Sequence, residues 1–400
     1  MTDNDYILRC IELAKNGQYY VAPNPMVGAV LTSPSPVSEG EGSERIFAEG
    51  WHRQYGGGHA EVECFRAAEK RMEGLTDAEK AAMYAKMTLY VSLEPCSHYG
   101  KTPPCADLII SKGVKRVVIG CLDPNPQVAG RGVQKLRDAG IDVTTGVEQE
   151  ACRWLNRRFM CLHEQHRPYI ILKWAQTADG YVDDRIRDSE LKIKNSKLKI
   201  QDFSELTDDR TSSPLVISTP VTKQLVHKMR AENMAIMVGT RTALMDNPSL
   251  LTTRWPGRNP VRVVVDRKHR IPKDAKIFSP EAPTIVYDER TDWPYIIRDL
   301  AERGIHSILV EGGPTLLKHI LESGIWDEMH IEVSPVSIGE GVPAPDIRLP
   351  ERKSTDLTDK TEKCEVKSTD FTDKTDNYEV ITGAKLYTIY HPDRHKNNNP

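Results

Sequence analysis

The chain reads as α/β, built from two consecutive domains. Three observations carry this. Its 400 residues exceed the usual size of one domain core. Short apolar runs alternate with amphipathic stretches along both halves, the pattern of strands crossed by helices. Arg167-Pro168 breaks one such series, and another begins directly after it. The predicted domains span 1–147 and 148–400, the second carrying polar insertions at about 185–213 and 351–380. A hydrophobic content of 39% is enough for two cores once those insertions are set aside.

In the first half, Tyr6 to Lys15 places Ile7, Cys10, Ile11 and Leu13-Ala14 at helical spacing, with Asp3 or Asn4 as the cap. Pro23 to Pro25 is a turn. Met26 to Leu31 and Phe47 to Trp51 read as strands on either side of the polar loop Ser33 to Arg45. Gly56-Gly57-Gly58 leads into a helix from near His59 to Arg71, and Met72 to Lys86 is an added helical or loop insertion. Thr88 to Leu93 is a buried strand that delivers Glu94-Pro95-Cys96 at its end. Cys105 to Lys112 is a helix, Val114 to Gly120 a strand, Gly130 to Ala139 a helix and Ile141 to Thr144 a strand. The alternation predicts a largely parallel sheet. Cys152, Leu155, Phe159 and Leu162 predict one connecting helix over Gln149 to Gln165.

The second half opens with a strand at Tyr169 to Lys173. Leu215 to Ser218 leads into a helix over Pro220 to Glu232. Strands follow at Met234 to Gly239, Val261 to Val265, Thr284 to Tyr287, His306 to Val310, His330 to Val333 and Lys385 to Tyr390. Two polar segments interrupt this series. Arg185 to Ser213 is charged and repetitive. Lys353 to Val366 is followed by a near copy, Lys367 to Val380, identical at ten of fourteen positions. So polar a repeat cannot bury a core of its own, which predicts surface loops at both places.

Net charge is −3 without a basic half, which argues against a nucleic-acid footprint. The eight cysteines show no disulfide-like rhythm, as expected of reduced thiols in the cytoplasm. Met1 to Asp5 shows no signal-peptide pattern, and no apolar stretch reaches membrane-spanning length.

The chemistry concentrates in two pieces of the first half. One is His59-Ala60-Glu61, the other runs from Pro95-Cys96 to Pro104-Cys105. A His, a Glu two residues on, and two downstream Cys form the pattern of a zinc deaminase. His59, Cys96 and Cys105 supply one imidazole and two thiolates, leaving a tetrahedral zinc one open position for water. Zinc lowers the pKa of such a water to about 7. Glu61 is the natural proton carrier, from water to ring nitrogen to leaving ammonia. The alternative is a closed structural zinc clip, for which His52 or His98 would be the fourth ligand.

The wider motifs sharpen this. Leu93-Glu94-Pro95-Cys96-Ser97-His98, Gly100-Lys101-Thr102-Pro103-Pro104-Cys105, Ala22-Pro23-Asn24-Pro25-Met26-Val27-Gly28 and Asp123-Pro124-Asn125-Pro126 resemble the deaminase half of the bifunctional riboflavin biosynthesis family. Lys173-Trp174-Ala175-Gln176-Thr177-Ala178-Asp179-Gly180, Val238-Gly239-Thr240-Arg241-Thr242 and Glu311-Gly312-Gly313 are similar to its reductase half. The resemblance implies a three-layer cytidine-deaminase-like domain followed by a dihydrofolate-reductase-like α/β domain. It implies Zn2+ and NADPH as cofactors, with Asn24 at the deaminase substrate. It places Ala175, Thr242, Asp246 and Gly313 at the dinucleotide, and Arg230, Leu250, Arg254 and Glu311 at the reductase substrate. The expected partner is a pyrimidine ribosylamine phosphate, handled by a cytoplasmic homo-oligomer without nucleic acid or membrane. Two other readings stand beside it: a single-activity zinc deaminase of a base or nucleoside with a degenerate second domain, and a binding module holding structural zinc.

Overall fold

The computed structural model describes residues 1–34, 44–99, 103–125, 128–184, 215, 217–288, 292–347, 364–366, 376–381 and 383–391. Its first sheet contains β1 (Gly28–Pro34), β2 (Glu44–Trp51), β3 (Thr88–Leu93), β4 (Arg116–Cys121) and β5 (Asp142–Thr145). They lie in the order β2-β1-β3-β4-β5. β3, β4 and β5 are parallel, whereas β1 runs antiparallel to both β2 and β3. The expected largely parallel sheet is therefore mixed. Only the nine residues 35–43 separate β1 from β2, fewer than a parallel crossover requires, and the two pair antiparallel.

The helices of this half are α1 (Asp3–Lys15), α2 (Ala60–Arg71), α3 (Asp77–Tyr84), α4 (Cys105–Lys112) and α5 (Arg131–Asp138). Thr2 caps α1, in place of the expected Asp3 or Asn4. Its hydroxyl accepts from Asp5 N while the Asp5 carboxylate accepts from Thr2 N, a reciprocal box. Alternation along β3 builds the three layers. Leu89 and Val91 face Phe65, Ile109 and Leu136 of α2, α4 and α5, while Tyr90 between them faces Tyr6 and Cys10 of α1.

The connecting segment forms two helices, α6 (Gln149–Leu155) and α7 (Arg157–Gln165), not the single one expected. Asn156 causes the break. Its Oδ1 accepts from Met26 N and its Nδ2 donates to Met26 O, both at 2.8 Å, with φ −104 and ψ 21. The side chain is thereby pinned to the loop that carries Asn24.

The second sheet contains β6 (Tyr169–Gln176), β8 (Ala235–Gly239), β9 (Val261–Val265), β10 (Thr284–Tyr287), β11 (Ser307–Val310), β12 (Glu328–Val333), β14 (Cys364–Val366), β15 (Asp376–Ile381) and β16 (Ala384–Tyr390). Their order is β10-β9-β8-β11-β6-β12-β16-β15-β14. Pairings from β10 to β12 are parallel, and those from β12 to β14 antiparallel. β7 (Tyr181–Asp183) and β13 (Val342–Pro343) form a separate two-stranded ribbon. α8 (Pro220–Glu232), α9 (Thr240–Asp246), α10 (Trp293–Glu302) and α11 (Pro314–Ser323) complete this half. Ile170 and Leu172 of β6 enter one core with α10 and α11, and Tyr169 and Ile171 enter the opposite one.

The tandem repeat differs from expectation. Tyr378 to Val380, ending the second copy, pair with β16, and Cys364 to Val366, ending the first copy, pair with β15. Each copy closes on Glu-Val after one Cys or Tyr, enough alternation to extend an existing sheet edge by backbone pairing. The rest of the repeat and the 185–213 insertion lie outside the described residues.

Candidate active sites

The first site lies at the carboxyl end of β3, against the start of α2. His59 is the N-cap of α2, and Glu61 sits in its first turn. Gly50 on β2 makes this approach possible: a Cβ there would meet Cys64 N at 2.2 Å and Ala60 O at 2.6 Å. Cys96 follows β3, and Cys105 opens α4, donating its backbone N–H to Cys96 Sγ at 3.3 Å. His59 Nδ1 lies 3.6 Å from Cys96 Sγ and 3.3 Å from Cys105 Sγ.

The three donor atoms lie within 4.8 Å of one another. On a tetrahedral zinc with bonds near 2.0–2.3 Å, a nitrogen and a sulfur ligand stand about 3.6 Å apart, so the donor set fits zinc. The Cys96 thiol is drawn down to about 4 by the thiol of Cys105 and by His59, against burial. Cys105 is pushed up by the Cys96 sulfur and by burial. Glu61 is 3% exposed, and burial lifts its carboxyl to about 7, against the pull of His59. A carboxylate poised there can take and return a proton at neutral pH.

His52 bears on the alternative of a closed metal clip. Its Nδ1 is 2.9 Å from Gly58 O and its Nε2 is 3.1 Å from Asn24 Nδ2. Nδ1 must therefore donate and Nε2 accept, which leaves no lone pair for a metal. Among the described residues His98 stands outside the three-donor group as well. A tetrahedral metal held by these three donors would keep one position open.

His59, Glu61 and Cys96 share a cavity of about 260 Å³ with Asn24, His52, His98, Asp123 and Asn125. Burial, with Glu94 adding to it, pushes the Asp123 carboxyl up to about 6. Asp123 and Asn125 had no assigned role from sequence alone, and His52 entered only as a fourth metal ligand. The Asp123-Pro124-Asn125-Pro126 motif was the available signal, since it follows β4 at the same end of the sheet as Cys96. Phe159 and His163 of α7 also line the cavity, which helical periodicity could not reveal.

The second cavity, also about 260 Å³, lies at the carboxyl ends of β6, β8 and β11. Ala175, Thr242, Asp246, Glu311 and Gly313 all face it, joined by Lys173 and Arg241. Gly313 caps α11, and a Cβ on it would meet Thr242 Oγ1 at 3.2 Å. This bare turn lets a phosphate approach backbone N–H groups, which fits a dinucleotide. Arg230 reaches the site through Glu311, donating from Nε at 3.0 Å and Nη2 at 2.7 Å, and from Nη1 to Leu251 O at 3.1 Å. Burial pushes the Glu311 carboxyl up, but Arg230, Lys173 and His227 together hold it below its ordinary value. Burial lowers the Lys173 ammonium, opposed by Glu311 and Glu332. Leu250 is buried in the core at φ 56 and does not line the cavity. Arg254 is exposed and does not line it either.

The family model described as the cytidine and deoxycytidylate deaminase zinc-binding region matches residues 1–121, and that of the RibD C-terminal domain matches 168–369. The chain is 35% identical over 367 residues to riboflavin biosynthesis protein RibD of Aquifex aeolicus, covering 86% of this chain and 90% of that protein. This chain belongs to the RibD family. The Escherichia coli RibD is 32% identical over 374 residues, covering 85% of this chain and 89% of its own. A Thermotoga maritima diaminohydroxyphosphoribosylaminopyrimidine deaminase/5-amino-6-(5-phosphoribosylamino)uracil reductase superposes with a TM-score of 0.70 at 34% identity, covering 97% of this chain and 98% of that one. Acinetobacter baumannii RibD gives 0.72 at 27% identity over the same shares. Like other RibD proteins the chain is a bifunctional enzyme of riboflavin biosynthesis, a zinc-dependent deaminase followed by an NADPH-dependent reductase. No helix among the described residues is long and apolar enough to cross a membrane.

Proposed function

We propose that the N-terminal cavity removes an amine from a diaminopyrimidinone ribosylamine phosphate, and that the C-terminal cavity reduces the ribosyl side chain of the product to ribityl. The domains of this reading are 1–147 and 148–400. In the first step water replaces the ring amine, which leaves as ammonia. In the second, a hydride and a proton add across the opened sugar–nitrogen linkage. Zinc, when bound by His59, Cys96 and Cys105, supplies Lewis-acid activation of water, and NADPH supplies the hydride. Glu61 takes the proton of water at its carboxylate and hands it to the ring nitrogen and then to the departing amine. Asn24 orients the pyrimidine, and His52, by accepting from the Asn24 amide, fixes which way that amide points.

In the second cavity Ala175, Thr242, Asp246 and the Gly313 turn hold the dinucleotide. Glu311 and Lys173 face the sugar. Arg230 keeps the Glu311 carboxylate charged and directed, and by bonding Leu251 O it ties the Leu250–Arg254 segment to the site. Arg254, exposed beside His227, is assigned to the substrate phosphate. The enzyme of this reading is a cytoplasmic homo-oligomer; light scattering on the purified protein decides its size.

The observation that carries the reading is the three-donor cluster with a buried Glu61 beside it, in one cavity with Asn24. Glu61→Gln tests it. The variant keeps zinc, because residue 61 is no ligand, and loses ammonia release by a factor of roughly 10² to 10⁴. Cys96→Ser and Cys105→Ser lose the metal itself. A Glu61→Gln protein purified without zinc, or releasing ammonia at the parent rate, contradicts the assignment.

A further inference from the structure

Among the described residues lining the deaminase cavity, only Phe159 and His163 come from beyond β5. They stand four residues apart on α7 and so share one face of it. Their rings lie 4.4 Å apart between centroids. His306, at the start of β11 in the reductase half, closes the group. Its ring centroid is 5.8 Å from that of Phe159 and 6.3 Å from that of His163. His306 is buried, whereas Phe159 and His163 are half-buried, with surface left to face the cavity.

α7 is also tied to the body of the second sheet at its first turn. Arg157 pairs with Glu328 at 3.4 Å, and Arg158 Nε donates to Asn233 Oδ1 at 3.2 Å. Just before them, Asn156 grips the Met26 backbone. The helix is thus held between the Asn24 loop and the second sheet.

The chemistry of the lining gives the wall its use. Most side chains facing the cavity are polar or titratable: Asn24, His52, Glu61, His98, Asp123 and Asn125. A flat heterocycle needs an apolar face as well as polar groups around its rim. Among the described residues Phe159 is the only carbocyclic ring in the lining. Burial keeps His163 and His306 below their ordinary values, so the wall is uncharged at neutral pH.

We propose that Phe159 and His163 form the substrate-contacting wall of the deaminase cavity, and that His306 of the reductase half positions this wall. Phe159 packs on the face of the pyrimidine or its ribosyl group, His163 borders it, and His306 acts only through those two rings. The reductase half therefore completes the deaminase site. This rests on the deaminase reading of the same cavity.

Full-length, zinc-loaded protein tests the proposal, with ammonia release from the pyrimidine ribosylamine phosphate as the readout. Phe159→Leu, which preserves apolar bulk, raises KM roughly five- to tenfold, the scale of one lost ring contact, with kcat within about twofold. His306→Ala raises KM about threefold, and His306→Phe returns it to the parent value, because the brace is a ring and not a charge. Zinc content and the rate of reduction of already deaminated substrate certify the fold of each variant. His163→Ala, half-buried on the same face as Phe159, gives a second probe of the wall and raises KM about threefold. A certified Phe159→Leu enzyme whose KM stays within twofold of the parent overturns the contact. A His306→Phe enzyme as impaired as His306→Ala overturns the brace. Absence of ammonia release by the parent enzyme would instead sink the deaminase reading, so the two failures are distinguishable.

Discussion

Glu94 is 4% exposed and accepts four backbone hydrogen bonds, two on each oxygen. Oε1 receives Gly132 N at 2.9 Å and Val133 N at 3.2 Å; Oε2 receives Asp123 N at 3.2 Å and Gly130 N at 3.0 Å. The carboxylate therefore holds the start of α5 and the cavity-lining Asp123 loop together. Gly132 permits this, since a Cβ there would meet Pro95 O at 2.1 Å. Glu94→Gln retains one acceptor oxygen and turns an NH2 group toward the other two N–H donors. Two hydrogen bonds are lost and two donors are left unpaired. At about 1–3 kcal/mol for each unpaired donor, the loss is about 2–6 kcal/mol. For a unit of this size that lowers the melting temperature by roughly 5–15 °C. Scanning calorimetry on the zinc-loaded full chain reads the shift, and ammonia release reads the displaced Asp123 loop, while the reductase step continues. A Glu94→Gln protein melting within a degree of the parent, with unchanged ammonia release, would refute this account of the loop.

Three other perturbations have definite expectations. Burial lowers His306 from 6.5 to about 4, and the neighbouring His163 and Arg258 add to the shift. Above pH 6.5 neither state protonates it; as pH falls toward 4 the unfolded chain takes a proton the folded one refuses, and stability drops by up to about 3 kcal/mol. His306→Phe should flatten the melting-temperature profile in that window, and an unchanged slope counts against the buried neutral ring. Arg230→Ala leaves Glu311 without its fork, so NADPH oxidation on deaminated substrate should fall at least tenfold while ammonia release continues; loss of both activities in a folded protein contradicts separate sites. Deleting 367–380 joins Val366 to Ile381, and Cys364-Glu365-Val366 can then take the register of Tyr378-Glu379-Val380 on β16. Both activities and the melt should survive, and a large fall in melting temperature shows that the outermost strand is required.

Period and punctuation made much of the fold legible. Thr88–Leu93, Cys105–Lys112, Pro220–Glu232 and Val261–Val265 have the bounds expected from apolar spacing and from Pro or Gly at their ends. His59, Cys96 and Cys105, which the fold brings within 4.8 Å of one another, could be singled out too, because ligand types at fixed spacing are a local signal. What escaped depends on partners far along the chain. Asn156 breaks a helix because it bonds Met26, which helical periodicity does not register. Arg262 of β9, on which apolar spacing is silent, is fully buried, donating to carbonyls of Lys276, Ser279 and Ala282. His52 looked like a spare metal ligand until both its ring nitrogens were seen to be engaged. Leu250 was expected at the reductase substrate, but its side chain turns into the core. The repeat was expected to loop out because its composition is polar; backbone pairing at a sheet edge needs little from side chains.

The central claim is that one chain performs two ordered steps at two sites. The most direct measurement is mass analysis of products after incubating zinc-loaded protein with the pyrimidine ribosylamine phosphate, with and without NADPH. Without NADPH the account predicts a single product in which one amine has become a carbonyl oxygen, with ammonia released in equal amount. With NADPH that product should give way to one carrying two more hydrogens. A reduced product that keeps both amines, or no NADPH-dependent change after complete deamination, would contradict it.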